Sequence, residues 1–338
     1  MMVEETEPRA RISVMVPTYA RPEHLRRCLV ALGRQTRRAA EVVVSYREDD
    51  EESRLAVEQF AALLPGVLVG VVVPAGANLV ASMNAGLRRT TGDWVAMTDD
   101  DAEPGEDWLE RLASYFDDPS IAGIGGRDRQ VQHPGEAAVV GKLQWFGRLI
   151  GNHHLGVGPP RDVDVLKGVN CCFRGDLLRA IGFDRRLRGV GNVANWEVAL
   201  CLTIRSLAQR LVYDPSIVVQ HHVAPRMDGD VNHRGGFAAG PLRDAVHNET
   251  LAVLEHVGAV RAFALIVWSI VVGGGQAPGI AQILRWTVKC RSLWQAGHRV
   301  LITVAGRSSG VRTHHHSHRS TVHQIGATGC PDLHNSTS

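Results

Sequence analysis

Four short apolar segments, separated by stretches long enough for helices, set the strongest limit on how this chain folds. The segments are residues 12–16, 42–44, 67–73 and 94–97. Between the first two, Leu25, Leu29 and Leu32 recur at helical spacing, which gives that helix one buried face. Because strands that alternate with helices usually form parallel sheets, the pattern predicts an α/β fold with a mostly parallel, Rossmann-like sheet covered by helices on both faces.

Polar residues follow three of these strands, at the edge of the sheet where ligands bind in such folds. They are Pro17, Thr18 and Tyr19 after the first strand, Asp49 and Asp50 in the acidic loop after the second, and Asp99, Asp100 and Asp101 shortly after the fourth. Because the carboxyl ends of parallel strands share one edge, we expect all three groups to lie there together.

The three aspartates are the strongest candidates for a ligand site. Carboxylates on one tight loop repel each other and are costly to desolvate, so a divalent cation would stabilise them. Hard oxygen ligands favour Mg²⁺ or Mn²⁺. The alternative is a solvated acidic turn that caps the helix beginning near Glu106, since Asp is an ordinary turn and cap residue.

Three further polar residues are candidates for the same site. Asn84 lies off the apolar stripe of a helix over residues 78–89, where its amide would hold a ligand phosphate or the aspartate loop, or would face solvent. Glu197 lies in the first turn of a helix beginning near Asn195, where it would face the loops or cap the helix. His221 ends a strand and would bind a metal or form a polar terminus.

Composition excludes several classes of function. The 338 residues carry a formal net charge of +2, and no segment interleaves basic residues with aromatics, so a nucleic acid partner has no support. The six cysteines show no CxxC spacing, which argues against a zinc or disulfide framework and fits a reducing cytoplasm. Residues 1–10 are acidic and polar, unlike a signal peptide, and we expect them to be disordered.

The C-terminal part of the chain changes character twice. Residues 262–284 contain no charged residue but are interrupted by glycines and a proline. The basic flank that follows contains Arg285, Lys289 and Arg291. These features predict a membrane-associated helical region over residues 259–304, as a hairpin at or dipping into the cytoplasmic face of the cell membrane; the alternative is a hairpin buried against the rest of the protein. Residues 305–338 have the composition of a disordered tail.

With these pieces in order, residues 12–222 resemble the family-two glycosyltransferases, which are inverting enzymes with the GT-A fold. The family's opening strand and nucleotide-binding turn are similar to ISVMVPTYARPEHLRRCLVAL, its DxD segment to VAMTDDDAEPGEDWLE, and its closing strand with histidine to LVYDPSIVVQHH. The segment WFGRLIGNHHLGVG, the HNET at residues 247–250 and the apolar C-terminal region also resemble a bacterial subgroup tied to cell-surface polysaccharide synthesis.

The resemblance implies roles for the residues of the predicted ligand edge. Asp99 and Asp101 would be the DxD acids that meet the sugar nucleotide and its Mg²⁺ or Mn²⁺, with Asp100 between them and His221 as a further metal ligand. The other nucleotide-binding residues would be Pro17, Thr18, Tyr19 and Asn84.

Two positions depart from the family's pattern. Glu197 stands where the family carries its general base, but Trp196 occupies the place where many members have a second acid. Ser45 stands where many members have an aspartate that binds the nucleotide base, which leaves uridine specificity open and gives that role to Asp49 or Asp50.

The resemblance implies transfer of a sugar from a UDP-, GDP- or dTDP-sugar to a glycan or lipid-linked acceptor. It assigns residues 11–258 to a GT-A catalytic domain, with a nucleotide-sugar half over residues 11–126 and an acceptor half over residues 127–258. A non-catalytic sugar or nucleotide binder stays open because of Trp196. A sugar-phosphate nucleotidyltransferase is disfavoured because VPTYARPEH stands where such enzymes have a glycine-rich phosphate loop.

Overall fold

The computed structural model describes residues 10–63, 67–232 and 236–327. The strands are β1 (Ile12–Pro17), β2 (Glu41–Arg47), β3 (Leu68–Val73), β4 (Trp94–Met97), β5 (Ala102–Pro104), β6 (Ile121–Arg129), β7 (Lys142–Leu143), β8 (Leu149–Ile150), β9 (Arg161–Asp162), β10 (Cys171–Arg174) and β11 (Arg210–His221). The helices are α1 (Pro22–Gly33), α2 (Glu51–Leu63), α3 (Leu79–Leu87), α4 (Trp108–Ala113), α5 (Gly175–Ile181), α6 (Trp196–Ser206), α7 (Ala239–Leu254), α8 (Ala259–Val271), α9 (Ile283–Cys290) and α10 (Leu293–Ala327), with 3₁₀ turns at His153–Leu155 and Ile280–Gln282.

A mixed sheet of nine strands forms the centre of the molecule, in the order β3-β2-β1-β4-β10-β6-β11-β5, with β9 beside β11. The first four strands are parallel, and β10 runs antiparallel to both β4 and β6. The carboxyl ends of β1, β2, β4, β6 and β11 therefore share one edge with the amino end of β10. The predicted mostly parallel α/β sheet is confirmed, and this edge is the one on which its ligand residues were expected.

Helices cover both faces of this sheet because neighbouring strand residues point in opposite directions. On β1, Val14 and Val16 belong to one buried cluster together with Leu25 of α1. Met15, which lies between them, belongs to another cluster together with Met83 of α3. The near-continuous apolar strands seen in the sequence are those of a sheet that is buried on both sides.

The C-terminal helix α10 corrects one prediction. Residues 305–327 were expected to be disordered, but they continue a helix that packs along α7. A Cβ atom at Gly306 would lie 2.6 Å from the Arg243 carbonyl oxygen, and one at Gly310 would lie 2.8 Å from that of His247. Two glycines four residues apart thus let the backbones of α10 and α7 approach closely. Composition alone does not show such a contact. Residues 1–9 and 328–338, also predicted to be disordered, lie outside the described residues.

The apolar segment 262–284 forms most of α8 and the loop and turn that follow it. One side of α8 packs on the protein: Leu265 is buried, the Trp268 ring lies 5.2 Å from that of Phe146, and Arg261 donates a hydrogen bond to the Trp145 carbonyl oxygen. Within the described residues, no helix is both long and apolar enough to cross a membrane.

Candidate active site

The aspartate loop begins where β4 ends, and its central carboxylate anchors the loop. Asp100 is fully buried, accepts a hydrogen bond from the Thr18 hydroxyl group at 2.7 Å, and meets two nitrogens of the Arg21 guanidinium group, at 2.5 and 3.1 Å. Burial raises the pKa of Asp100, but the two-point contact with Arg21 favours a charged pair. Asp100 therefore joins the aspartate loop to the turn after β1.

The two outer aspartates meet His221 at the sheet edge. One potential ligand atom from each of Asp99, Asp101 and His221 lies within 4.8 Å of the other two. Asp101 Oδ2 accepts hydrogen bonds from the Ala224 backbone at 2.9 Å and from Arg21 at 3.1 Å. Its Oδ1 atom is buried, accepts no hydrogen bond within the described part of the chain, and lies 3.5 Å from His221 Nε2. This buried oxygen, a second carboxylate and an imidazole fit a divalent cation.

Charge in this cluster is balanced by protonation of the histidine. Burial lowers the pKa of His221, but the carboxylates of Asp101 and Asp128 outweigh it and raise the pKa to about 9. Burial and the neighbouring Asp101 raise the pKa of Asp99. A cation that binds here at neutral pH therefore takes the place of a proton, and its binding should strengthen as pH rises.

An open cavity lies beside this cluster. It is lined by Pro17, Thr18, Tyr19, Asp99, Asp101, Asn78, Asn192 and three arginines, Arg21, Arg47 and Arg226. The Arg47 guanidinium group stacks over the Tyr19 ring at 3.9 Å from its centroid. Arginine forks match phosphate oxygens, and an aromatic ring offers a stacking surface for a base. The cavity thus suits a nucleoside diphosphate, and its arginines were not among the predicted site residues.

Three predicted nucleotide-binding residues, Asp49, Asp50 and Asn84, are not among the residues that line this cavity. Asp50 accepts hydrogen bonds from the backbone N–H groups of Ala20 and Ser53, so it fixes the turn after β1 and the start of α2. Asp49, beside it, is exposed. Asn84 is bonded to both the N–H and the carbonyl group of Phe183, at 3.1 and 2.9 Å, and so fastens α3 to the loop after α5.

Glu197 lies in the first turn of α6, as expected, and belongs to the same edge of the sheet. Burial raises the pKa of its carboxyl group, Asp99 raises it further, and the nearby charges of Lys167 and Arg226 oppose that rise. Asn195, just before the helix, has a left-handed backbone with φ 65°. The Glu197 carboxyl group is therefore close enough to Asp99 and Arg226 for their charges to act on it.

Trp196, at the position of the second acid in the family's pattern, is held by packing. Trp196 is buried, and its ring meets that of Phe183 edge to face at 5.3 Å. A Cβ atom at Gly168 would lie 2.3 Å from the Trp196 ring, so the glycine makes room for it. Trp196 therefore packs beneath the loop that contains Lys167 and Gly168.

The HNET segment on α7 holds the loop before Glu197. The Asn248 side chain accepts a hydrogen bond from the Arg188 N–H at 2.8 Å and donates to the carbonyl groups of Arg188 and Ala194. Asn195 in turn donates to the Ala245 carbonyl group at 2.9 Å. Two amide side chains thus fix the entry to α6, a role that the motif alone did not indicate.

A comparison with solved structures defines the class of fold. The structure resembles the mannosyltransferase PcManGT from Pyrobaculum calidifontis, solved with GDP-Man and Mn²⁺, with a TM-score of 0.55 and 17% identity. The match covers 91% of this chain and 88% of that one. The fold is therefore GT-A, as predicted.

Sequence comparisons define the family. Residues 13–157 match the model of Glycosyl transferase family 2, so this part of the chain is a family-two glycosyltransferase domain. The match ends before β10, so it leaves the roles of Glu197 and His221 untested.

Two curated relatives are also named as glycosyltransferases. The chain is 27% identical over 190 residues to the pre-mycofactocin glycosyltransferase of Mycobacterium tuberculosis, covering 55% of this chain and 39% of that protein. It is 37% identical over 108 residues to the amylovoran biosynthesis glycosyltransferase AmsE of Erwinia amylovora, covering 31% of this chain and 40% of AmsE. The chain thus spans about two fifths of the length of each of these two relatives.

Proposed function

We propose that the protein is an inverting, metal-dependent glycosyltransferase that moves a sugar from a nucleotide-sugar donor to a glycan or lipid-linked acceptor in cell-surface polysaccharide synthesis. The observation that carries this proposal is the triad of Asp99, Asp101 and His221 beside the arginine-lined cavity, with Glu197 on the same edge. The name of AmsE supports the polysaccharide context.

The cavity would hold the donor. Arg21 and Arg226 would bind the diphosphate oxygens, and the stacked pair of Tyr19 and Arg47 would receive the base. A Mn²⁺ or Mg²⁺ ion held by the triad would neutralise charge that develops on the leaving diphosphate. UDP-, GDP- and dTDP-sugars all remain donor candidates, and the GDP-Man of the Pyrobaculum enzyme makes a GDP-sugar a necessary member of any donor panel.

Glu197 would act on the acceptor. A half-buried carboxylate whose pKa is raised is a stronger base than one in water, and a positioned base can take the proton of an attacking hydroxyl group. With the base and the leaving diphosphate on opposite faces of the sugar, a single in-line displacement inverts the anomeric centre. The product should therefore have the anomeric configuration opposite to that of the donor.

The test is a panel of UDP-, GDP- and dTDP-sugars incubated with Mn²⁺ or with chelator, with release of the nucleoside diphosphate as the readout. The proposal expects cation-dependent release from at least one donor. Tight donor binding without any turnover, in the presence of Mn²⁺ and acceptor glycans, would favour the non-catalytic binder instead.

We further propose that the protein works at the cytoplasmic face of the cell membrane, held there by exposed side chains of α8, α9 and α10. Each of these helices has one large, exposed apolar side chain: Phe263 on α8 (72% exposed), Leu284 on α9 (78%) and Trp294 on α10 (75%). A second exposed apolar residue follows one or two helical turns later on each helix, at Val267, Val288 and Leu301, so that each helix has an exposed apolar ridge. Between residues 256 and 331 the sequence has eight Lys or Arg and no Asp or Glu. Apolar ridges in an entirely basic region fit the interface of an anionic bilayer.

A further inference from the structure

A carboxylate outside the metal triad contacts His221 from the opposite side. Asp128, near the end of β6, is fully buried, and its Oδ2 atom lies 3.4 Å from His221 Nδ1. The other ring nitrogen, Nε2, lies 3.5 Å from Asp101 Oδ1. The imidazole ring therefore lies between two carboxylates, with one nitrogen facing each.

The sheet itself sets this contact. Asp128 pairs with Val219 in the parallel ladder between β6 and β11. His221 lies two residues beyond Val219, so its side chain points to the same face as that of Val219 and can reach Asp128 diagonally. Because backbone hydrogen bonds fix both positions, the contact does not depend on a mobile loop.

Asp128 also contacts a cation and an amide group. Lys167 Nζ lies 2.6 Å from Oδ2, and Gln130 Nε2 donates to the same oxygen at 2.7 Å. The Lys167 charge favours the ionised carboxylate. An ionised carboxylate is the stronger acceptor for an imidazole N–H group.

We infer that Asp128 is a positioning residue that holds His221 with its Nδ1–H towards β6 and its Nε2 atom towards Asp99 and Asp101. The inference rests on the proposed metal site. In metalloproteins the carboxylate that accepts the second N–H of a ligating histidine fixes its tautomer and ring orientation, and its loss lowers metal affinity roughly 10- to 100-fold.

The test is Asp128→Asn, with Mn²⁺ binding to the full chain measured by electron paramagnetic resonance in the absence of nucleotide. The variant keeps the shape of the side chain but removes its charge, so we expect the Mn²⁺ dissociation constant to rise roughly 10- to 100-fold. The matched control is Asp214→Asn. This makes the same change on β11 at a carboxylate that accepts the Tyr115 hydroxyl group at 2.7 Å, and it should leave Mn²⁺ binding unchanged.

A second variant separates positioning from the ion pair. Asp128→Asn leaves Lys167 without its partner, which would lower stability, so Asp128→Asn combined with Lys167→Met removes both charges. The melting temperature without metal reports any structural loss. The inference expects the same weakening of Mn²⁺ binding in both variants, whatever their melting temperatures. A dissociation constant within about twofold of the wild-type value in either folded variant would overturn it.

The failure of this inference can be told apart from failure of the metal site. If Asp101→Asn and His221→Ala lose Mn²⁺ binding while Asp128→Asn keeps it, the metal site stands and only the role of Asp128 is rejected. If the wild-type chain binds Mn²⁺ no better than Asp101→Asn does, the metal site itself is rejected, and the inference falls with it.

Discussion

The aspartate loop and the contact between α7 and α10 both bury polar side chains, but they do so by different means. In the loop, Asp100 is buried against the charge of Arg21 and the hydroxyl group of Thr18. Between the helices, Arg307 is only 3% exposed, and it lies 3.6 Å from Glu249 and 3.3 Å from Thr250.

The two regions differ in the interaction that allows the polar side chains to be buried. The loop depends on complementary charges that converge from distant strands, whereas the helix contact depends on glycines that let two backbones meet. The first arrangement should therefore be sensitive to changes of charge and the second to changes of size. Four substitutions follow, from the largest expected effect to the smallest. Asp101→Asn and Gly310→Ala test this contrast directly, and Glu197→Gln and Leu284→Ser extend it to the acceptor side of the site and to the exposed apolar surface.

Asp101→Asn should have the largest effect, because it removes charge from the triad with almost no change of size. We expect metal-dependent release of nucleoside diphosphate from the donor to be abolished. Isothermal titration of the donor with Mn²⁺ and with chelator measures the binding component. Equal donor affinity under both conditions in the wild-type protein would contradict a metal role for Asp99 and Asp101.

Glu197→Gln should lower transfer to the acceptor by roughly a hundredfold to ten-thousandfold, the usual contribution of a general base. Donor binding and the melting temperature should stay near their wild-type values. The matched control is Glu52→Gln, which makes the same change in the first turn of α2 and should leave transfer unchanged.

Two results would contradict this role for Glu197. Transfer by Glu197→Gln at nearly the wild-type rate would leave Glu197 as a helix cap, worth about 1 kcal/mol of stability at most. Retention of the donor's anomeric configuration in the wild-type product, seen by NMR, would reject the single displacement.

Gly310→Ala tests size at the helix contact. Its Cβ atom would lie 2.8 Å from the His247 carbonyl oxygen, and forcing α10 away from α7 should lower the free energy of unfolding by about 1–3 kcal/mol. Gly297→Ala on the same helix is the control. A Cβ there meets nothing within 4 Å among the described residues, so this variant should gain roughly 0.5–1 kcal/mol from helix propensity. Equal changes in denaturant midpoint would show that α10 is not held by this contact.

Leu284→Ser should give the smallest effect, a roughly tenfold weaker partition onto liposomes that contain phosphatidylglycerol, since one buried Leu side chain is worth about 1.5–3 kcal/mol at most. The control is Leu55→Ser, which makes the same change at an exposed leucine on α2, away from the C-terminal helices. It should leave partition of the protein onto the liposomes unchanged. If the wild-type chain does not float with these liposomes, the exposed ridges cover another partner, and sedimentation equilibrium would show whether it is a second copy of the chain.

The sheet and the place of the aspartate loop at its edge could be predicted because their signals are local. Residues 94–97 form a strand at the expected bounds, and the acids follow it within a few positions. Arg21 and Asp128 could not be predicted, because their partners Asp100 and His221 lie 79 and 93 residues away. The position of Asp50 outside the cavity could not be predicted either, because an acid in a loop after a strand can equally cap the next helix.

The tail was wrongly predicted for a different reason. Composition measures how much apolar area a segment can bury, and residues 305–317 have little. The helix contact instead comes from close backbone approach at Gly306 and Gly310 and from the hydrogen bond between Arg188 and Ser309 at 2.8 Å. The spacing of Gly306 and Gly310 by four residues is a sequence signal for such a contact, and composition does not contain it.

His221 completes the triad late in synthesis, because it lies at the end of β11. Asp99 and Asp101 emerge from the ribosome more than a hundred residues before His221, and β10, which lies between β4 and β6 in the sheet, is also made before β11. A nascent chain that ends before residue 221 has at most two of the three ligand side chains. A site that needs all three side chains can therefore form only after β11 has been synthesised.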